Sequence, residues 1–387
     1  MYKLIYIVIL IFISNSLFGQ VNKDFQYFNT LTYNQYLAKD WKNLTKTGRK
    51  SIQLGYDSHF IRMRLGIALY YSEKYMLAEK QFKKALQFNS DNPTALEYLH
   101  YTMIFTGRDK ESECFYPLKE EDTVNFFQNI YIESGVKLSD EKAFTRDIRY
   151  GLFSLKHGLS KRTSYFHAFQ YLVRDYIDPL TSGSGYGNRE NILQTKQYEY
   201  YGALEILAGK GLYITPAYHY QSVRMEGNRW NNFVFSLGLS QHIGITNIYA
   251  NISYSKIDFT YQYQGSIGLT IYPLANQNLY IDNMFTAQHE SENIHSSIKQ
   301  KLGGKVLKKT WLEGWYSYGD MRYFNEQNAF IFFNNPSIIH YRYGVGLIQG
   351  LGKHLLYLNV IKEYKEEYET RIDFSHIDVI IGLKIKL

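Results

Sequence analysis

HIDVIIGLKIKL, from His376 to Leu387, decides how the rest of the chain is read. Ile377, Val379, Ile381, Leu383, Ile385 and Leu387 fall on every second position, and Asp378, Gly382, Lys384 and Lys386 stand between them, with Ile380 the exception. A period of two is that of a strand, whose side chains alternate between faces. One face is apolar and the other partly charged, which suits the closing strand of a membrane β-barrel, where lipid and lumen take alternate residues. On that reading Lys at Ile381 or Leu383 costs ~2–4 kcal/mol at mid-membrane, and Lys at Gly382, facing water, costs less. One strand closes nothing by itself, so the sequence upstream must supply the others.

It carries the same alternation. In Asn231 to Gly244, Phe233, Phe235, Leu237 and Leu239 alternate with Val234, Ser236, Gly238 and Ser240. Ile248, Ala250, Ile252 and Tyr254 then alternate with Asn247, Tyr249, Asn251 and Ser253, and Ile267, Leu269 and Ile271 with Ser266, Gly268, Thr270 and Tyr272. The polar members, Ser236, Ser240, Asn247, Tyr249, Asn251, Ser253, Ser266, Thr270 and Tyr272, are the candidate lumen-lining residues. About fourteen such segments run from residues 125–138 to residues 375–387; twelve would preserve the argument, since single-chain bacterial barrels have an even count. Connections after even strands are short, as at Gly158 to Arg162, Ala208 to Gly211, Ile243 to Thr246 and Gly350 to Lys353. The long ones, Ile177 to Glu190, Arg322 to Pro336 and Glu366 to Phe374, all follow odd strands. A β-sandwich shows the alternation but has no reason to sort its loops by length.

Composition agrees. Of 387 residues 20% are charged and 17% aromatic, with 38 Tyr, 24 Phe and only 6 Pro. Tyr suits both the water interfaces of a barrel and a polar lumen; a Tyr-rich soluble β-protein is the bland alternative. The net charge of +7 is scattered, with no basic cluster or motif for nucleic acid. Cys114 is the single cysteine, which excludes an intramolecular disulfide and a multi-cysteine metal site.

The N-terminus differs. Residues 1–19 read as a signal peptide, with Lys3, an apolar run from Leu4 to Ile13 and small or polar residues from Ser14 to Gly19. The run is too short to span a bilayer, and no cysteine stands at the cleavage region to carry a lipid anchor. Residues 20–115 are helical in pattern. An offset of about 34 residues aligns Leu31 with Leu65 and Leu99, Tyr36 with Tyr70 and Ile104, and Trp41 with Tyr75. Leu65, Gly66, Tyr70, Ala78, Phe82, Ala85 and Leu99 are the expected packing residues, and Asp57-Ser58 and Asp91-Asn92-Pro93 mark helix starts. These large and small positions resemble those of tetratricopeptide repeats: two copies and a partial third. The flanking copy places Leu44, Gly48 and Ser51 in its second helix. Residues 116–123 form the linker and 124–387 the barrel, giving an α+β multidomain chain with both barrel ends on the short-turn rim.

Signal peptide, repeats and Tyr-rich barrel together resemble the repeat-plus-barrel outer-membrane proteins of Gram-negative bacteria. The barrel is similar to the YaiO type, on the strength of Tyr131 to Gly135 and of Tyr198 to Tyr220, where a tight Gly turn joins two Tyr-rich strands. Such barrels commonly end in Phe or Trp, whereas this chain ends in Leu387. The resemblance implies an outer-membrane location with the helices in the periplasm, outer-membrane lipid around the barrel, a periplasmic protein partner on the repeats, and a role in export or assembly of a surface glycan.

No motif supports an enzyme or a cofactor. Thr181 to Gly187, TSGSGYG, lacks the Lys-Ser/Thr of a phosphate loop and the GxSxG elbow, and reads as an external loop. The dispersed histidines indicate no metal site. Two alternatives stay open: an enzyme acting on lipid or lipopolysaccharide, with a cross-strand pair such as His242 and a serine, and a barrel that only anchors the repeats.

Overall fold

The computed structural model describes residues 24–115, 124–140, 145–177, 192–334, 337–367 and 371–387. The expected signal peptide, the linker and the Thr181–Gly187 loop lie outside the described residues. The chain divides into two compact units, one helical and one made of strands.

The helical unit comprises α1 (residues 24–37), α2 (Trp41–Gln53), α3 (His59–Tyr71), α4 (Tyr75–Phe88), α5 (Pro93–Ile104) and α6 (Asp109–Phe115). Side-chain oxygens cap three of the starts: Asp40 and Ser58 accept from the backbone N–H of Asn43 and Ile61, and Asn92 from Ala95 at 2.8 Å, with Pro93 in the first turn. Leu65, Ala78, Phe82, Ala85 and Leu99 are fully buried in one core, with Tyr70 packed at its edge. The Phe82 ring fills the space a side chain at Gly66 would need, which is why a small residue stands there. In the flanking copy Leu44 and Ser51 are fully buried, and Gly48 faces Leu65.

An ion cluster ties α4 to the segment around α6. Arg108 bonds Glu79 and lies 3.2 Å from Glu111, while Lys83 lies 2.6 Å from Glu79. Burial raises the Glu79 carboxyl, and Arg108 and Lys83 outweigh it, holding its pKa below the usual 4.5. A carboxyl depressed in the folded state stabilises fully above its unfolded value and loses that contribution as pH falls through the folded one. The helical signal of the full chain, followed by far-ultraviolet circular dichroism, is therefore expected to become less heat-stable below about pH 4.5. Glu79→Gln should remove that component of the dependence.

The second unit is a closed antiparallel barrel. Its strands are β1 (Phe127–Ser139), β2 (Thr145–Gly158), β3 (Thr163–Ile177), β4 (Ile192–Gly209), β5 (Leu212–Met225), β6 (Asn228–Ile243) and β7 (Thr246–Ile257). They continue as β8 (Thr260–Ile271), β9 (Leu279–Glu290), β10 (Asn293–Leu307), β11 (Thr310–Met321), β12 (Ile338–Leu351), β13 (His354–Glu366) and β14 (Asp373–Lys386). Each pairs with its neighbours in sequence, and β14 closes on β1 from Asn129↔Lys386 to Ser139↔His376. Fourteen strands are thus present, and the C-terminal stretch is the last of them. Closure leaves no strand edge, as a sheet within lipid requires.

The outer face is apolar. Phe235, Leu237, Ile252, Ile267, Phe285, Ile298, Val345, Val360, Ile377, Val379 and Ile381 are all exposed, and each alternates with inward-facing residues. An exposed belt of this kind is stable only against hydrocarbon. Connections after even strands are tight, as at residues 210–211, 244–245, 308–309 and 352–353, apart from 272–278. After odd strands some are equally tight, at 226–227, 258–259 and 291–292. At one tight turn Lys210 and Gly211 both have positive φ, 40° and 79°, the twist that a two-residue hairpin needs. The connection after β11 is long and takes a different course.

Candidate functional site: an occluded lumen

Residues 322–334, which follow β11, fold into the barrel. Asn325–Glu326 pairs with Ile331–Phe332 as a short ladder of its own, and the segment touches the inner wall on several sides. From β8, Gln262 donates to the Tyr323 carbonyl at 2.9 Å and Gln264 to that of Asn325 at 2.7 Å, while the Asn325 N–H returns to Gln264 at 3.0 Å. From β7, Ser253 meets the Asn325 side chain and Asn251 donates to Asn328 at 3.0 Å. From β4 and β5, the Tyr201 hydroxyl and the His219 ring reach the carbonyls of Asn328 and Ala329 at 3.2 and 2.7 Å. Glu326 lies 2.6 Å from Lys299 of β10 and 3.4 Å from Arg342 of β12.

Apolar residues complete the fit. Tyr323, Ala329 and Phe332 are buried with Val234 and Ile257, and Phe330 lies edge-on to Phe166 and Tyr201. Tyr323, Gln327, Asn328 and Ala329 all have φ between 52° and 65°. For residues with a β-carbon that conformation costs on the order of 1 kcal/mol each, so it persists only because the surrounding contacts over-determine it.

A second polar network lies on the wall formed by β1, β12, β13 and β14. Lys137 is 2.7 Å from Glu363 and 3.0 Å from Asp378, Lys365 is 2.8 Å from Glu363, and Arg342 links this group to Glu326. Asp378 belongs to the C-terminal stretch, so the charged face of that strand is the luminal one. Buried charges at this density are tolerable only when paired in this way.

Between the inserted segment and the wall remains a cavity of about 790 Å³. Ser240, Asn247, Tyr249, Asn251, Ser266, Thr270 and Tyr272 line it. Ser236 accepts from Asn251 at 2.7 Å and Ser253 bonds the inserted segment, so all nine sequence candidates face inward, two of them outside the cavity itself. Tyr280, Asp282, Lys299, Lys301, Trp311, Glu313 and Tyr357 also line it and were not among those candidates. A signal for two of them was present: in LYIDNMFTAQHE, Tyr280, Asp282, Thr286, Gln288 and Glu290 alternate with Ile281 and Phe285. The Asp282 carboxylate accepts from Tyr249 at 3.0 Å and from Thr270 at 2.6 Å, and the Tyr280 hydroxyl bonds Glu313. The His242 ring lies beside that of Tyr272, centroids 6.5 Å apart. No group of three or more His, Cys, Asp or Glu placed to hold a metal ion occurs among the described residues.

No protein-family model matches the chain. No curated protein matches it either. Solved structures do. CdiB from Acinetobacter baumannii is similar at 8% identity and a TM-score of 0.39, over 66% of this chain; the match spans only 60% of CdiB's own length. The outer membrane protein Omp33 of the same organism is similar at 10% identity and a TM-score of 0.39, over 68% of this chain and 100% of that one. The Pseudomonas putida toluene transporter TodX is similar at 9% identity and a TM-score of 0.48, over 72% of this chain and 92% of that one. The closed fourteen-stranded barrel with its apolar belt has the architecture of outer-membrane β-barrels.

Proposed function

We propose that this chain is an outer-membrane barrel of a Gram-negative bacterium, with tetratricopeptide-like helices in the periplasm that hold a protein partner. Its occluded lumen takes part in the export or assembly of a surface glycan. The observation that carries the reading is the inserted β11–β12 segment above a cavity that Tyr249, Tyr272, Tyr280, Tyr357 and Trp311 share with carboxylates and amides. A bare anchor has no use for such a cavity, and the inserted segment narrows the lumen beside it. β1 starts and β14 ends on the rim that lacks the long connection after β11, and in barrels of this kind the long loops lie on the opposite, extracellular rim, which supports a periplasmic place for the helices. The buried small residues Gly66, Ala78 and Ala85 around Phe82 support the repeat assignment. Tyr131 to Gly135 on β1 and Tyr198 to Tyr220 on β4 and β5 carry the likeness to the YaiO type.

Deletion of the gene tests the reading. Surface glycan, stained on intact cells, is expected to fall and to be restored by the full chain but not by a chain lacking residues 24–115. Unchanged glycan in the deletion strain would refute it.

A further inference from the structure

Two tyrosines of the cavity are seated on glycines of the neighbouring strand, as Tyr150 and Tyr131 are seated on Gly135 and Gly382 elsewhere in the barrel. Tyr249 of β7 stands opposite Gly268 of β8, and Tyr280 of β9 opposite Gly303 of β10. In both pairs the end of the ring fills the volume that a β-carbon on the glycine would need. The hydroxyl half of each ring is thus laid over a glycine of the neighbouring strand, and both residues line the cavity. A tyrosine standing upright would offer an edge; one laid over glycine offers a platform.

The hydroxyls fix these platforms and bring a carboxylate to the edge of each. Tyr249 donates to Asp282 and Tyr280 to Glu313. Glu313 is also 3.4 Å from Lys301, whereas Asp282 takes its hydrogen bonds from the neutral donors Tyr249 and Thr270 and is in no ion pair among the described residues. A carboxylate has about four acceptor positions, so Asp282 keeps capacity for a ligand donor. Flat aromatic faces with acceptors at their rims match a ring with apolar C–H groups on its face and hydroxyls around its edge. A cavity of about 790 Å³ falls within the range that encloses a small ligand.

We infer that Tyr249 and Tyr280, with Asp282 and Glu313, form a luminal subsite that stacks neutral pyranose units and accepts their hydroxyl hydrogens. The inference rests on the glycan reading above and names the residues that would recognise the glycan.

The test is titration of the purified full-length protein in detergent with cellotetraose, maltotetraose and tetragalacturonate. At least one neutral tetrasaccharide is expected to bind. Tyr249→Ala and Tyr280→Ala should each weaken it about tenfold, and Tyr249→Phe, which keeps the ring, only about threefold or less. Asp282→Asn should weaken it too, with the variants' unchanged far-ultraviolet circular dichroism showing that the barrel is intact. Binding of tetragalacturonate alone, binding of none of the three, or equal affinity in Tyr249→Ala and Tyr280→Ala with an intact barrel would each overturn the subsite. The two claims separate cleanly. Ring-dependent binding with unchanged surface glycan in the deletion strain keeps the subsite and refutes the export role; lost glycan with ring-independent binding does the reverse.

Discussion

Replacing residues 323–333 by a short Gly-Ser linker should turn a barrel that conducts little into an open pore. In planar bilayers the full chain is expected to show conductance at least about tenfold below that of the shortened one, since a barrel of this size has room for a water path once nothing fills it. The barrel should survive the change. Asn251, Ser253, Gln262, Gln264, His219, Lys299 and Arg342, which now hold the segment, are polar, and water can take its place. What is lost is the packing of Tyr323, Ala329 and Phe332 on Val234 and Ile257. The four left-handed residues are released from strain, which offsets part of that loss. Equal conductance in the two proteins would show that the segment does not occlude the lumen.

The second large effect falls on the outer wall. Ile381 is exposed on the lipid face of β14, opposite Ser134 of β1 and Leu358 of β13. Ile381→Lys should destabilise the folded barrel by ~2–4 kcal/mol in lipid, read as a lower urea midpoint in refolding into vesicles. Ile381→Val, which keeps the face apolar, should move it little. Gly382 corrects a simpler expectation. It faces the lumen, so hydration alone would make Lys there mild, but the Tyr131 ring from β1 sits where its side chain would go. A side chain at 382 must displace the end of the Tyr131 ring, whose hydroxyl bonds Glu133, at the seam that closes the barrel. Gly382→Ala, with no charge at all, is therefore expected to be measurably destabilising.

Strand number and order were legible because lipid and water enforce a two-residue alternation along β6, β7 and β8 and again along β14, and because turns such as Lys210-Gly211 announce themselves in composition. The helical core was legible for a related reason: Gly66 leaves the room that the Phe82 ring fills, and the small Ala78 and Ala85 are buried in the same cluster. The candidate lumen residues followed from parity alone, which says which side a residue faces and not what it meets there. Hence Tyr249 could be placed inward from the sequence, whereas its seat on Gly268 and its bond to Asp282 depend on cross-strand register.

The inserted segment was visible only as a long connection. Its path is fixed by contacts far apart in sequence, such as Asn325 with Gln264 and Asn328 with Asn251, which no local pattern reports. Its one local sign is the apolar run Phe330, Ile331, Phe332 and Phe333, out of place in a loop facing water.

The alternating strands from β1 to β14, with an apolar outer face, belong across a membrane. Sodium carbonate washing of isolated envelopes, followed by detection of the chain in pellet and supernatant, checks this. The chain should stay in the outer-membrane pellet after the wash; its release into the supernatant would contradict the barrel as a membrane-spanning structure.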